Sequence, residues 1–158
     1  MIGDLRVAFA FLTILPAGHT GARPPGYAFA WFPLVGLVIG LLLYGAALVS
    51  PAPLAGYVVL LLWVIVTGGL HLDGFGDACD GLLATTTPER RLEIMKDPRT
   101  GAWAVVGLVL LLLGKFVAIG QVAPLLLIVA PVAGRWSMVV AAAAFPYART
   151  MGLGGYFR

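Results

Sequence analysis

Three aspartates, Asp73, Asp77 and Asp80, share the stretch HLDGFGDACDG, residues 71–81. On a helix, spacings of four and seven residues bring all three within about 60° of one another. Like charges at i, i+4 destabilise an isolated helix. The plain reading is a solvated helix end; the chemical one is a metal site that holds a diphosphate. Carboxylate oxygens on one face suit Mg²⁺, which takes one or two carboxylates and completes its shell with water and phosphate oxygens. Gly74, Gly76 and Gly81 leave the neighbouring surface bare, so a bulky phosphate could approach. Glycine in a helix costs about 1 kcal/mol relative to alanine, which favours a role for that space. His71 points nearly opposite the aspartates and reads as a boundary or packing histidine, with substrate contact as the alternative.

A second polar element follows, TTTPERRLEIMKDPRTG. Thr87 is an N-cap before Pro88 at the first helical position, and Pro98 and Gly101 close the segment. The expectation is an amphipathic helix of roughly two to three turns at the membrane interface, with Leu92 and Met95 on its apolar side. Glu93 and Asp97 are again i, i+4. They form either a solvated face neutralised by Arg90, Lys96 and Arg99, or a second carboxylate set facing the aspartates. In the second reading Lys96 and Arg99 neutralise phosphate charge.

The elements that must position these residues are apolar. Of 158 residues, 61% are hydrophobic and 11% charged, against about 45–50% and 25% in soluble domains. The expectation is an all-α integral membrane protein, a single polytopic domain over 1–158. Six of the seven acidic residues and four of the ten Lys and Arg lie between 73 and 99. That concentration marks a polar catalytic segment. Four stretches reach the roughly 20 apolar residues of a membrane span: Phe29 to Val49, Pro53 to Leu72, about Gly101 to Ile119, and about Val122 to Ala144. The stretch LRVAFAFLTILP is too short to span and reads as an interfacial or re-entrant helix. Its short apolar run and Asp4 argue against a signal peptide.

The loops 49–53 and 120–124 carry no charge. Arg6 and Arg23, then Arg90, Arg91, Lys96 and Arg99, then Arg149 and Arg158 lie on the other side. By the positive-inside rule these segments, and residues 73–99 with them, face the cytoplasm. The net charge of +3 is small and spread out, which argues against nucleic acid as a partner. Cys79 is the only cysteine, so no intramolecular disulfide forms and no zinc spacing exists. Lys115, near the end of its span, can snorkel. Arg135, in the middle of its span, calls for a partner in the bundle, either a carboxylate of the acidic cluster or a substrate phosphate.

Acidic helical faces at a membrane surface suit two chemistries. One is phosphoryl transfer from a nucleotide diphosphate to an alcohol, and the other is prenyl transfer. A non-enzymatic cation carrier is a third reading. The residues resemble one family in particular. HLDGFGDACDGLLATTTPERRLEIMKDPRTGAWAVVGLVLLLL is similar to the signature region of the cobalamin synthases, the adenosylcobinamide-GDP ribazoletransferases. It matches at His71, Asp73, Gly74, Asp77, Asp80, Gly81, Glu89, Arg90, Glu93, Ile94, Met95, Asp97, Arg99 and Gly101. FLTILP and AWFPLVGLVIG near the start, and GRW, FPYAR and GLG near the end, agree as well. The motif also resembles that of CDP-alcohol phosphotransferases, by analogy of reaction.

The resemblance implies a Mg²⁺-dependent enzyme of the cell inner membrane, active late in vitamin B12 assembly. It would join adenosylcobinamide-GDP to α-ribazole, or its 5′-phosphate, and release GMP. Asp73, Asp77 and Asp80 would hold the metal and diphosphate. Glu93 and Asp97 would complete the metal shell, or one of them would act as general base. The expected substrate-binding set is His71, Gly74, Gly81, Lys96, Arg99 and Arg135. The lipid bilayer is an implied partner, as is a second copy of the chain or another cobalamin-assembly enzyme. Members of the family are usually longer, with further membrane helices after FPYARTMGLGGYF, so the chain reads as a C-terminally shortened member.

Overall fold

A computed structural model of the protein describes residues 2–17 and 25–148. Arg23, Arg149, Arg158 and the GLG stretch lie outside the described residues. Every regular element among the described residues is helical. In chain order these are α1 (Ile2–Leu12), a 3₁₀ segment (Pro25–Trp31), α2 (Phe32–Val49), α3 (Ala52–Val66), α4 (Leu70–Leu83), α5 (Pro88–Ile94), α6 (Ala102–Ile119) and α7 (Leu126–Ala144). The all-helical expectation is met.

Three of the expected spans appear as Gly26–Val49, Ala102–Ile119 and Leu126–Ala144, of 24, 18 and 19 residues. The second, expected from Pro53 to Leu72, is broken. α3 and α4 meet at an angle of 89° and make at most one span between them. The cause lies in Gly68 and Gly69, whose φ angles are +58° and +70°. A left-handed backbone costs other residues about 1–2 kcal/mol, and glycine almost nothing. The amides of Gly68 and Gly69 close on the carbonyls of Ile65 and Val64, at 3.0 and 3.2 Å, and end α3. His71 and Leu72 therefore belong to the first turn of α4, not to a straight span. α3 alone is about 22 Å long, short of the roughly 30 Å hydrocarbon layer.

Glycines set how closely the helices approach. Gly36 and Gly40 form a GxxxG pair on α2. A Cβ there would fall 2.6 Å from the Pro131 carbonyl oxygen and 2.6 Å from the Ile128 Cα of α7. This small-residue seam is the usual way for apolar helices to gain contact where lipid offers no hydrophobic drive. Gly107 does the same for α6, where a Cβ would meet Cys79 Sγ of α4 at 2.5 Å. The core lies between α1, α2, α3 and α7, with Leu12, Phe32, Val35, Leu43 and Val59 fully buried. α1, about 16 Å long, is too short to span, as expected. One face of it packs on the bundle, where Ala8 and Leu12 are fully buried and Phe11 stacks on Phe32 at 5.8 Å. The outer side of α6 leaves Leu110 and Leu113 65% and 56% exposed. A helix apolar all round and exposed on that scale faces lipid, not water.

Candidate active site

α4 presents Asp73, Asp77 and Asp80 to the place where it meets α6 and the turn after α5. That turn is where expectation and structure part. α5 ends at Ile94, so Glu93 and Asp97 do not share a helical face. Lys96 and Asp97 sit in a tight turn, their amides donating to the carbonyls of Glu93 and Ile94 at 3.0 and 3.1 Å. Pro98 explains the early stop, since the residue before a proline is disfavoured in the helical region. Thr87 caps α5 as expected, its hydroxyl accepting from the Arg90 amide at 3.4 Å.

The turn folds back on α4 and closes a cleft of about 350 Å³. Asp73, Gly76, Asp77, Asp80, Lys96, Asp97 and Arg99 line it. A second opening of about 380 Å³ shares Asp80, Asp97, Arg99 and Thr100 and adds Arg90 and Glu93. The structure thus brings together four of the five predicted catalytic carboxylates with Lys96 and Arg99. Glu93 lies in the adjoining opening, paired with Arg90 at 2.7 Å. Both partners are mostly exposed, so this pair adds little stability.

Asp80 has a structural duty that its spacing did not reveal. Its Oδ2 accepts from the Gly101 amide at 2.7 Å and its Oδ1 from the Ala104 amide at 2.9 Å. α6 begins at Ala102 with Gly101 as its N-cap, a residue with no side chain to offer. Asp80 supplies the missing cap from another helix and places its charge at the positive end of α6. A Cβ on Gly101 would lie 2.5 Å from the Asp80 carboxylate, so the cap requires glycine there. These partners lie 21 and 24 residues away, beyond any local pattern.

Asp97 is held by Arg99 through contacts at 2.6 and 2.9 Å, and its carboxyl also accepts from the Arg99 amide at 3.0 Å. The side-chain bond to Arg99, then the amide bond, pull its pKa from 3.8 to about 2. The same pairing raises Arg99. Half of the solvated-face reading is therefore realised, in that Glu93 and Asp97 each have their own arginine.

Other predicted residues go elsewhere. Gly81 does not leave room for phosphate: a Cβ there would meet Met95 Cγ and Cε at 2.6 Å, so this glycine lets α5 and its turn pack onto α4. Gly74 has open space around it but lines neither opening, and Gly76 is not bare, since a Cβ there would meet Ala104 and Leu108 of α6 at 3.4 Å. His71 and Arg135 do not line the acidic cleft; they line a separate small cavity with Lys115. Among the described residues, no three Asp, Glu, His or Cys side chains are grouped to hold a metal by themselves. The donor chemistry still fits Mg²⁺ in its usual manner, with one or two carboxylates and the rest of the shell from water and phosphate.

Residues 4–158 match the model of a protein family described as cobalamin-5-phosphate synthase. The chain is 45% identical to an adenosylcobinamide-GDP ribazoletransferase of Pseudomonas putida (strain W619), over 94% of this chain and 65% of that protein. It is 44% identical to one of Ectopseudomonas mendocina (strain ymp), over 94% of this chain and 66% of that protein. The chain thus spans just under two thirds of the length of these curated relatives. No solved structure matches it. The family's model covers almost the whole length of the chain, including every residue of the acidic cleft: the chain belongs to the cobalamin-5-phosphate synthase family.

Proposed function

We propose that the acidic cleft is the phosphoryl-transfer site of an adenosylcobinamide-GDP ribazoletransferase. The observation that carries this reading is the convergence of Asp73, Asp77, Asp80 and Asp97 with Lys96 and Arg99 on one cleft. In the reaction a ribose hydroxyl oxygen of α-ribazole, or of its 5′-phosphate, attacks the cobinamide-side phosphorus of adenosylcobinamide-GDP. The new P–O bond forms as the bond to GMP breaks. The hydroxyl proton passes to a carboxylate, and GMP leaves with the bridging oxygen.

Asp73 and Asp77 are the side chains to which we assign Mg²⁺ and the base. Both line the acidic cleft from α4, and Asp97, whose pKa is held at about 2, is a poor proton acceptor near neutral pH. Mg²⁺ held by Asp73 and Asp77 would offset the charge gathering on the diphosphate. Lys96 and Arg99 stabilise the same charge from the opposite wall. Residues 73–99 face the cytoplasm of the inner membrane in this reading.

In lipid vesicles, GMP release from adenosylcobinamide-GDP is expected only with both α-ribazole and Mg²⁺. Asp77→Asn is expected to lower that rate about 10²-fold or more. Mg²⁺-dependent retention of the corrinoid on the vesicles, read by its visible absorbance, reports binding apart from turnover. Wild-type GMP release by Asp77→Asn would remove that carboxylate from the mechanism. Pyrophosphate release from a prenyl diphosphate would favour prenyl transfer instead.

A further inference from the structure

The cavity between α3, α4, α6 and α7 has a different chemistry from the acidic cleft. Its volume is about 80 Å³, against about 30 Å³ for a water in the liquid. That is room for one compact group and not for a nucleotide. Thr67, His71, Lys115 and Arg135 are its polar lining, and none of its lining residues is acidic. The two sites share no lining residue, although they adjoin at Leu72 and Asp73.

Arg135 is 97% buried, with a relative exposure of 3%. Its Nε and Nη2 are buried without a hydrogen-bond partner, and so is His71 Nε2. Nε and Nη2 lie on one edge of the guanidinium and form the side fork that takes two oxygens of a planar or tetrahedral oxyanion at once. Lys115 Nζ lies 4.0 Å from the centroid of the Trp63 ring, a contact that covers one side of the ammonium and leaves protons on the other for an anion. An uncompensated arginine among apolar helices is costly enough that a partner is expected. Among the described residues, neither a carboxylate nor a carbonyl reaches those two atoms. Two cations facing one small space suit phosphate better than a singly charged ion.

We propose that this cavity is an anion site for a single phosphate group, held by the Arg135 side fork with Lys115 and His71. Lipid headgroups and free phosphates present the same chemistry, so the test separates them. The whole chain is purified in a neutral detergent without phospholipid or Mg²⁺. Inorganic phosphate and short-chain phosphatidylglycerol are then titrated, followed by thermal unfolding and native mass spectrometry. One phosphate-bearing probe is expected to bind at one equivalent and raise the melting temperature. Arg135→Met and Arg135→Lys are expected to weaken it by about tenfold to a hundredfold. Arg135→Lys keeps the charge and loses the fork, and so stays informative if the methionine variant fails to fold. Lys115→Met is expected to weaken binding about tenfold.

A response to inorganic phosphate identifies a free phosphate as the occupant. A response to phosphatidylglycerol alone identifies a lipid headgroup. Binding of neither probe, or equal binding by wild type and both Arg135 variants, overturns the proposal. Loss of binding in Arg99→Gln with Arg135→Met unaffected would overturn it too, by placing the anion in the acidic cleft. None of these readouts depends on GMP release, so failure here leaves the transferase reading standing.

Discussion

Asp80 and Asp97 are the residues whose roles changed most between spacing and contact. The shared face of Asp73, Asp77 and Asp80 was legible, because a helix repeats every 3.6 residues whatever surrounds it. The use of Asp80 as the cap of α6 was not, because its partners are backbone amides of a distant helix. Asp80→Ala is expected to cost about 1–2 kcal/mol of stability, and Asp80→Asn less, since the amide keeps one acceptor. Unfolding of the variants in detergent micelles checks both. Asp97 supplies a second measurement. Its folded pKa is lowered, so the pairing with Arg99 stabilises the protein above pH 3.8, and that contribution is lost as pH falls towards about 2. The Asp97 carboxyl carbon is expected to titrate near 2 by NMR, and to return towards 3.8 in Arg99→Gln. A wild-type titration at the ordinary value would show that the pair does not persist in solution.

At the scale of elements, apolar runs marked three spans to within a few residues, because burial in lipid demands a fixed length of apolar chain. The fourth was misplaced as a straight helix. Gly68 and Gly69 are visible in VTGGLHL, but a pair of glycines permits a left-handed turn without requiring one. The GxxxG of α2 is likewise visible, and its partner is not: only packing shows that Gly36 meets the Pro131 carbonyl. Gly36→Leu is expected to force α2 and α7 apart at a cost of about 1–3 kcal/mol. Gly45→Ala, on the same helix with nothing within 4 Å, is expected to be neutral or slightly stabilising. Equal effects of the two in a denaturation series would show that the α2–α7 seam is not closely packed. The short α5 belongs here as well, because the proline at 98 outweighed the i, i+4 pattern of Glu93 and Asp97.

For the whole molecule, the arrangement in the bilayer proposed from the charge distribution has a direct test. In a Cys79→Ala background, Ser50→Cys and Gln121→Cys are expected to react with an impermeant thiol reagent from outside the cell. Thr86→Cys is expected to react only after the inner face is opened; the opposite pattern would invert the proposed topology. Membrane residence, the approximate spans and the acidic segment could be read from the residues themselves. Each rests on composition or on local periodicity, which the chain carries wherever it folds. Tertiary structure alone decided which charges meet. It gathered Asp73, Asp77 and Asp97 with Lys96 and Arg99, tied Asp80 to the start of α6, and moved His71 and Arg135 into a cavity of their own. Those pairings depend on an 89° bend and on glycine contacts between helices far apart in the chain, and no local pattern encodes a distance between them.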